Sequence, residues 1–79
     1  MAYRVAFSRE ARQQAAQLPL PVLARAIEQL ERDPWQGSPY QPGYPPEYRV
    51  LAFGTWGMAV YVIAERTATV TIVDLLWAG

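Results

Sequence analysis

The chain has 79 residues, 52% of them hydrophobic and 13% aromatic, and its seven arginines balance seven acidic residues at zero net charge. This composition excludes a disordered segment, and the strong basic excess of a nonspecific nucleic-acid binder is missing. Histidine and cysteine are absent. The sequence therefore excludes imidazole bases, thiolate nucleophiles, disulfides and cysteine metal sites, and we expect neither a metal nor a cofactor.

The size of the chain predicts one domain over residues 1–79 and a protein partner. A domain this small cannot bury all of its apolar side chains, and an exposed apolar patch commonly marks a partner site. No apolar run approaches the ~18 residues of a membrane span, and Met1–Phe7 lacks the apolar core of a signal peptide. We therefore expect a cytoplasmic protein that does not contact a membrane.

The first part of the chain predicts a strand and two helices. Tyr3–Phe7 alternates large and small side chains as a half-buried strand does, and Ser8 follows as a helix N-cap. Prolines within Leu18–Pro21 end the first helix and begin the second. The second helix carries an apolar stripe, which consists of Leu20, Leu23, Ile27 and Leu30. Two helices joined by so short a turn form an antiparallel hairpin whose apolar side covers a sheet.

A stiff loop, residues 34–47, separates the helices from the rest of the chain. Prolines and glycines recur along it, and the aromatic residues Trp35, Tyr40 and Tyr44 lie between them. Loops of this length are often functional. The alternative is that these aromatic side chains pack over an edge of the core.

Three strands are predicted after the loop. Tyr48–Phe53 and Met58–Ala64 flank the glycine-bounded turn Gly54–Gly57, which is a hairpin signal. Both sides of these two strands are apolar, which predicts a sheet that is covered on more than one face. The β-branched run Ala68–Leu76 is the third strand. Within it, Asp74 is an acid among apolar residues, so it requires a partner, which either Arg49 or Arg66 can supply.

The order β-α-α-β-β-β resembles that of the RelE/ParE superfamily, the toxins of bacterial type II toxin–antitoxin pairs. The similarity covers nearly the whole chain, in short pieces. They are Tyr3–Ser8, Leu18–Pro19, Ile27–Leu30 with Asp33–Pro34, Tyr48–Val50 before the glycine turn, and Val60–Ile63. The resemblance implies an α+β fold in which a helical hairpin packs on one face of an antiparallel sheet. Tyr3–Phe7 would lie beside the C-terminal meander.

The resemblance also implies that the protein is the toxin component of a toxin–antitoxin system. Many members are mRNA endoribonucleases (mRNA interferases) that inhibit translation in the ribosomal decoding site, and others inhibit DNA gyrase. Nearly all are neutralised by an antitoxin that wraps across the toxin surface. The expected partners are a cognate antitoxin, in a hetero-oligomer, and either the ribosome with mRNA or DNA gyrase. A homodimer is the alternative assembly.

The catalytic set that the resemblance implies is depleted in this chain. Arg49 and Tyr61 match recurrent functional positions of the family. Ribonuclease members also carry a second arginine early in the third strand, where this chain has Met58. They carry a basic or histidine–tyrosine tail, which does not follow Trp77 here. We therefore expect weak or absent cleavage of free RNA. The alternative is a non-catalytic domain that inhibits gyrase or retains only antitoxin binding and operon regulation.

RNA cleavage by the 2′-hydroxyl needs a base, an acid and positive charge at the phosphate. The candidates are Arg49 as the phosphate clamp, Glu47 as the base, and Tyr61 in an assisting role. Tyr48 and Arg66 are alternatives for that assisting role. The competing interpretation is that Arg49 forms a structural ion pair with a carboxylate and that Tyr61 is a core aromatic.

The antitoxin is predicted to contact large aromatic side chains, because these dominate protein interfaces. The first candidates are Trp35, Trp56 and Trp77, and Tyr40 and Tyr44 come next. By resemblance, a helix or extended segment of the antitoxin lies across the helical hairpin and the sheet edge. The alternative is that the tryptophans pack within the domain.

Overall fold

The computed structural model describes residues 2–78, and within them it has two helices and a five-stranded sheet. The elements are β1 (Arg4–Phe7), α1 (Arg9–Ala15), α2 (Leu20–Arg32), β2 (Ser38–Pro39), β3 (Tyr48–Phe53), β4 (Gly57–Ala64) and β5 (Thr69–Trp77). Short 3₁₀ turns at Pro34–Gln36 and Glu65–Thr67 precede β2 and β5. The predicted α+β class is confirmed, and β2 is a strand that the sequence did not predict.

The sheet has the strand order β1-β5-β4-β3-β2. β3, β4 and β5 form the predicted antiparallel meander, in which Tyr48 pairs with Val62 and Val62 with Thr71. β1 lies beside the meander, as expected, but it runs parallel to β5, with Val5 opposite Val70. The expectation of a wholly antiparallel sheet is therefore wrong at this edge. The reason is topological, because the chain between β1 and β5 supplies the long crossover that a parallel pair needs.

Local sequence signals fix both helices. Ser8 caps α1, because its hydroxyl oxygen accepts a hydrogen bond from the amide of Ala11 at 3.1 Å. Pro19 and Pro21 lie at the start of α2. Backbone amides there have no partner within the helix, so the missing amide hydrogen of proline costs no helical hydrogen bond. Beyond the end of α2, Pro34 prevents the helix from continuing. Neither helix within residues 2–78 has the length and apolarity needed to cross a membrane.

The core lies between the helices and one face of the sheet. Ala26 and Leu30 of α2 have no exposed surface, and Leu23 and Ile27 beside them are half-buried. Leu20 departs from the predicted apolar stripe and is 78% exposed, since the first residue of α2 falls outside the packed segment. The remaining core residues are Ala11, Leu18, Leu51, Phe53, Ala59, Tyr61, Ile63, Val70, Ile72 and Leu75.

The opposite face of the sheet carries neither of the helices described within residues 2–78. Tyr61 and Ile63 of β4 are buried against the helices, so strand alternation turns Val62 and its cross-strand partners the other way. We call this surface the open face. Its residues are Arg4, Ala6, Tyr48, Val50, Ala52, Met58, Val60, Val62, Ala64, Thr69, Thr71 and Leu76. The two helices do not provide the expected covering of this face. Val60 is buried there, but Ala52, Met58 and Leu76 are exposed.

Asp74 is half-buried and lies next to a bulge in the pairing of β4 with β5. The amide nitrogen Nε2 of Gln14 donates to Asp74 Oδ1 at 2.9 Å, and Gln14 Oε1 accepts from the backbone of Leu75 at 2.9 Å. The predicted pairing of Asp74 with Arg49 or Arg66 is therefore wrong. Because α1 packs against β5, it brings a neutral side chain that satisfies both the carboxylate and the strand amide.

Candidate functional site

Arg49 of β3 holds the loop that follows α2. Its Nε and Nη2 atoms donate to the carbonyl oxygen of Gly37 at 3.1 and 2.6 Å, and Nη1 donates to that of Pro46 at 3.1 Å. The guanidinium carbon lies 5.3 Å from the ring centroid of Trp35, within cation–π range. These partners carry no negative charge, so the interpretation of Arg49 as half of a structural ion pair does not fit. These bonds use three of the five guanidinium N–H groups and leave one on each Nη atom, so the phosphate-clamp role of Arg49 stays a prediction.

Tyr61 of β4 has no exposed surface, and its hydroxyl donates to the carbonyl oxygen of Pro34 at 2.6 Å. Burial raises the pKa of the Tyr61 phenol, although the nearby Arg49 charge opposes this. Gly37 lies so close that a Cβ built on it would collide with Tyr61 Oη and approach Val50 O to 2.6 Å. The catalytic role predicted for Tyr61 does not fit this position, because a substrate cannot reach an enclosed hydroxyl.

Glu47, Tyr48 and Arg66 come together in a groove of about 600 Å³ at one end of the open face. Its full lining is Pro45, Glu47, Tyr48, Val62, Ile63, Ala64, Glu65, Arg66 and Thr67. Glu47 is half-buried and Arg66 is exposed. The structure thus separates the predicted site residues, with Glu47 in the groove, Arg49 half-buried against the loop and Tyr61 fully buried. Among residues 2–78, no three histidine, cysteine or acidic side chains cluster as metal ligands.

Three tyrosines pack against one another along the loop and into β3, one pair edge to face and the other tilted. The ring centroids of Tyr40 and Tyr44 are 4.8 Å apart at 79°, and those of Tyr44 and Tyr48 are 5.3 Å apart at 55°. Tyr44 is 49% exposed, whereas Tyr40 and Tyr48 are half-buried. Of the two predicted partner-binding tyrosines, Tyr44 therefore presents the larger surface, and its ring contacts those of Tyr40 and Tyr48.

Trp35 is part of the internal packing rather than a free anchor. It is half-buried against the core, and its Nε1 donates to Glu65 Oε1 at 3.0 Å. The hydroxyl of Tyr3 donates to the same oxygen at 2.5 Å. The hydrogen bond from Tyr3, followed by that from Trp35, lowers the pKa of Glu65, and the carboxylate in turn raises the pKa of Tyr3.

Trp56 is the most exposed of the three tryptophans, at 68%, whereas Trp77 is half-buried and packs against the core. Trp56 lies in the turn between β3 and β4, beside a hollow of about 310 Å³. Ala52, Met58 and Leu76 line the same hollow, in one row across three strands. We call this the apolar end of the open face, and its residues are Ala52, Trp56, Met58, Leu76 and Ala78. Met58 and Leu76 are 43% and 51% exposed.

Met58 and Leu76 are absent from the predicted partner residues, although the sequence held a signal for them. Each alternates with core residues in its strand, so each has to face away from the helices once strand direction is known. Their register across β4 and β5, with Met58 opposite Leu76, is what joins them into one patch, and no single strand contains that information.

The opposite end of the open face carries two exposed arginines. Arg4 of β1 donates its backbone amide to the carbonyl oxygen of Ala68 at 2.9 Å, which lies two residues beyond Arg66. Arg4 is absent from the predicted site residues, although Tyr3 and Val5 on either side of it face the core and so direct it to the open face. We call this region the arginine end, and its residues are Arg4, Tyr44, Tyr48 and Arg66.

No protein-family profile and no curated protein matches the sequence, but solved structures match the fold, among them the following two. A chain of the RelBE2 toxin–antitoxin complex from Mycobacterium tuberculosis has a TM-score of 0.81 at 23% identity, over 99% of this chain and 93% of that chain. A mutant of the Escherichia coli toxin RelE in the free state has a TM-score of 0.74 at 18% identity, over 95% and 82%. The protein therefore has the fold of the RelE toxins.

Proposed function

We propose that this protein is the toxin component of a type II toxin–antitoxin system and that a cognate antitoxin covers part of its open face. The observation that carries the proposal is the RelE-like fold over 99% of the chain, shared with a component of a toxin–antitoxin complex. The uncovered apolar strand residues support it, since a sheet with apolar residues on both faces is incomplete as an isolated domain.

The antitoxin contact is best supported at the apolar end. Trp56, Met58 and Leu76 are among the five large hydrophobic side chains that are most exposed within residues 2–78, and they adjoin one hollow. An exposed tryptophan beside a hollow is the usual form of an interface hot spot. This location differs from the helical hairpin that the resemblance suggested, and it uses one of the five predicted anchors together with two residues that were not predicted.

For the activity, we propose translation inhibition by ribosome-dependent cleavage of mRNA, with the reacting groups in the groove at the arginine end. Glu47 would take the proton of the 2′-hydroxyl, whose oxygen then attacks the phosphorus as the bond to the 5′-oxygen breaks. Arg66 would stabilise the charge on the phosphate oxygens. Within residues 2–78, the groove lining holds no histidine or lysine to act as the acid for the leaving oxygen. The ribosome would therefore have to supply that proton, and cleavage of free RNA should be weak.

A second candidate is a non-catalytic domain that inhibits gyrase or only binds its antitoxin. The burial of Tyr61 favours it, because an enclosed hydroxyl cannot contact a substrate, and most of the Arg49 donors are already bonded to the loop. Both candidates require an antitoxin, and they differ in what the free toxin does to its target.

A comparison of purified targets separates these candidates. Messenger RNA is incubated with the protein, with and without ribosomes, and DNA supercoiling by gyrase is measured in parallel. Ribosome-dependent cleavage that falls by about 10²-fold or more in Glu47→Gln, and also falls in Arg66→Gln, supports the first candidate. Arg25→Gln, an exposed arginine of α2, is the matched control. Inhibited supercoiling without RNA cleavage identifies the second candidate, and failure to act on either target leaves only antitoxin binding.

The antitoxin contact has its own test. The product of the adjacent reading frame is purified and its affinity for the protein is measured by calorimetry. Trp56→Ala should weaken binding by about 2–4 kcal/mol, as a hot spot does. Leu20→Ala is the matched control, since Leu20 is 78% exposed but lies on α2. Equal losses in the two variants would contradict a contact centred on the apolar end.

A further inference from the structure

We propose that Glu65 is a positioning residue, which orients Arg66 through the turn that they share and Arg49 through the ring of Trp35. The inference rests on the proposed function, because these two arginines are the candidates for contact with a phosphate. Glu65 itself takes no part in the chemistry, since its carboxylate is bonded to side chains of two other segments.

Glu65 joins three segments that are far apart in the sequence. The hydroxyl of Tyr3, just before β1, donates to Glu65 Oε1 at 2.5 Å. The indole Nε1 of Trp35, in the 3₁₀ turn after α2, donates to the same oxygen at 3.0 Å. Glu65 begins the 3₁₀ turn that precedes β5. One carboxylate oxygen therefore ties this turn to the first strand and to the start of the loop of residues 34–47. We call Tyr3, Trp35 and Glu65 the carboxylate junction.

The core fixes the two donors of the carboxylate junction. Tyr3 and Trp35 are both half-buried and pack against the core residues. Glu65 is exposed, so its side chain supplies most of the rotamer freedom that is lost when the two bonds form. Hydrogen bonds to an ionised carboxylate are stronger than bonds between neutral groups, although solvent weakens them at an exposed position. The two fixed donors thus orient Glu65, and Glu65 orients the turn to which it belongs.

The turn held in this way carries Arg66. Arg66 follows Glu65 directly, and both residues line the groove that contains Glu47. The turn is closed by the amide of Ala68, which donates to the backbone carbonyl oxygen of Glu65 at 3.1 Å. A shift of Glu65 would therefore move the backbone from which Arg66 extends, and it would change the position of the guanidinium group relative to Glu47.

The carboxylate junction also orients Arg49, through one intermediate ring. The guanidinium carbon of Arg49 lies 5.3 Å from the ring centroid of Trp35, and the nitrogen of that ring is bonded to Glu65. Three N–H groups of Arg49 are bonded to the loop, so the loop and the ring together direct the other two. Without Glu65 the ring of Trp35 would be free to turn, and Arg49 would lose one of the surfaces that orient it.

Protonation of Glu65 gives the carboxylate junction a measurable signature. The hydrogen bond from Tyr3, followed by that from Trp35, lowers the pKa of Glu65. The two bonds are therefore at full strength above the pKa of the unfolded glutamate, and they weaken as pH falls through the pKa of the folded one. Glu65→Gln removes this ionisation and leaves the other charged groups of the region in place, which are Asp33, Glu47, Arg49 and Arg66.

The first measurement is an NMR titration of the full chain without any target. The indole N–H resonance of Trp35 should shift as the pH is lowered from neutral to about 3, the range in which a glutamate with a lowered pKa gains its proton. The resonance of Trp56, which is 68% exposed, should stay in place. In Glu65→Gln the Trp35 shift should be lost.

Hydrogen exchange at neutral pH then tests whether the turn is held. The indole of Trp35 and the amide of Ala68 should exchange faster in Glu65→Ala than in the unchanged protein. Glu65→Gln should lie between the two, because it keeps an oxygen that accepts hydrogen bonds. Glu28→Ala, which removes an exposed carboxylate of α2, is the matched control and should exchange as the unchanged protein does.

The last measurement is ribosome-dependent cleavage of mRNA. Glu65→Ala should lower kcat by about 10–10²-fold with little change in KM, because displaced charges stabilise the transition state less well. Glu65→Gln should recover most of this loss. In the presence of Arg66→Gln, Glu65→Ala should lower kcat less than it does alone, since the group that it positions is already missing.

An unshifted Trp35 resonance, or equal exchange in Glu65→Ala and Glu28→Ala, would overturn the inference. Full cleavage by Glu65→Ala, or independent losses in the double variant, would overturn it as well, because Arg66 would then be in place without Glu65. These results would leave the proposed function intact. A protein that cleaves no mRNA on ribosomes would reject the proposed ribonuclease activity, and the titration and the exchange rates would still decide whether Glu65 holds the turn.

Discussion

Arg49 donates two hydrogen bonds to the carbonyl oxygen of Gly37, at 3.1 and 2.6 Å, from a position twelve residues further along the chain. Tyr61 holds the start of the same loop, because its hydroxyl donates to the carbonyl oxygen of Pro34. The guanidinium group of Arg49 on β3 and the buried phenol of Tyr61 on β4 thus fix the loop of residues 34–47, which carries Tyr40 and Tyr44. Arg49 and Tyr61, both candidates for catalysis in the sequence, therefore hold this loop in place.

Gly37→Ala should destabilise the protein by about 1–3 kcal/mol, because the added methyl group must enter occupied space. The new Cβ would collide with Tyr61 Oη and lie 2.6 Å from Val50 O. Urea unfolding measures the change. Ser38→Ala, at the exposed neighbouring position, should stay within about 0.5 kcal/mol. An unchanged free energy of unfolding in Gly37→Ala would contradict the close contact of Gly37 with Tyr61 and Val50.

Leu30→Ala should cost about 2–5 kcal/mol, because Leu30 has no exposed surface and its removal leaves a cavity. Leu20→Ala makes the same chemical change on the same helix at a site that is 78% exposed, and it should cost less than about 0.5 kcal/mol. Leu23→Ala and Ile27→Ala, at half-buried sites, should fall between them. Denaturant midpoints of the four variants should follow this order, and a large loss in Leu20→Ala would contradict the packing.

The stability of the protein should fall above pH 10 through Tyr61. Burial raises the pKa of Tyr61 in the folded state, whereas an unfolded tyrosine ionises near pH 10. The stabilisation from Tyr61 is therefore complete below the pKa of the unfolded tyrosine, and it is lost as pH rises through the pKa of the folded one. Unfolding measured against pH should show Tyr61→Phe less stable at neutral pH by about 1–3 kcal/mol, because Pro34 O loses its donor.

The difference between the two proteins should then narrow above pH 10. Tyr3, whose pKa is also raised, is present in both proteins and cancels in that comparison. A difference that stays constant up to pH 12 would show that Tyr61 is not buried in its neutral form.

Ala68→Gly should stabilise the protein by about 0.5 kcal/mol. Ala68 has φ of 48°, in the left-handed region, which costs a residue with a Cβ about 1–2 kcal/mol. Glycine removes that cost, but it also lowers the stability by about 0.4–1 kcal/mol, because it gives the unfolded chain more conformational freedom. Ala64→Gly, at an exposed strand residue with φ of −110°, should instead destabilise by about 0.5–1 kcal/mol. Thermal unfolding should show a higher midpoint for Ala68→Gly and a lower midpoint for Ala64→Gly than for the unchanged protein.

Much of the fold was predictable from local patterns, because caps, prolines and alternation act within a few residues. Ser8, Pro19 and Pro34 mark the helix ends, and the glycines on either side of Trp56 mark the hairpin. The parallel direction of β1 was not predictable in this way, since nothing local to Tyr3–Phe7 records which way β5 will run beside it.

The candidate site was predicted less well, for a related reason. A sequence shows that Arg49 and Tyr61 can do chemistry, but it does not show that carbonyl oxygens of the loop before β3 lie within 3.1 Å of them. Asp74 shows the same limit, because its partner Gln14 is neutral and lies 60 positions away. Glu47 lines the groove and Tyr44 is 49% exposed, since a proline-rich loop keeps its side chains near the surface, but the roles assigned to them stay predictions.

The pairing of β1 with β5 also sets when the sheet can close during synthesis. β1 is made before the other described strands, and its neighbour β5 is made after them. Domains form as units on emergence from the ribosome. β1 therefore waits for its partner until residues 69–77 have been made, and a chain interrupted before them would lack both Leu76 of the apolar end and the strand beside Arg4.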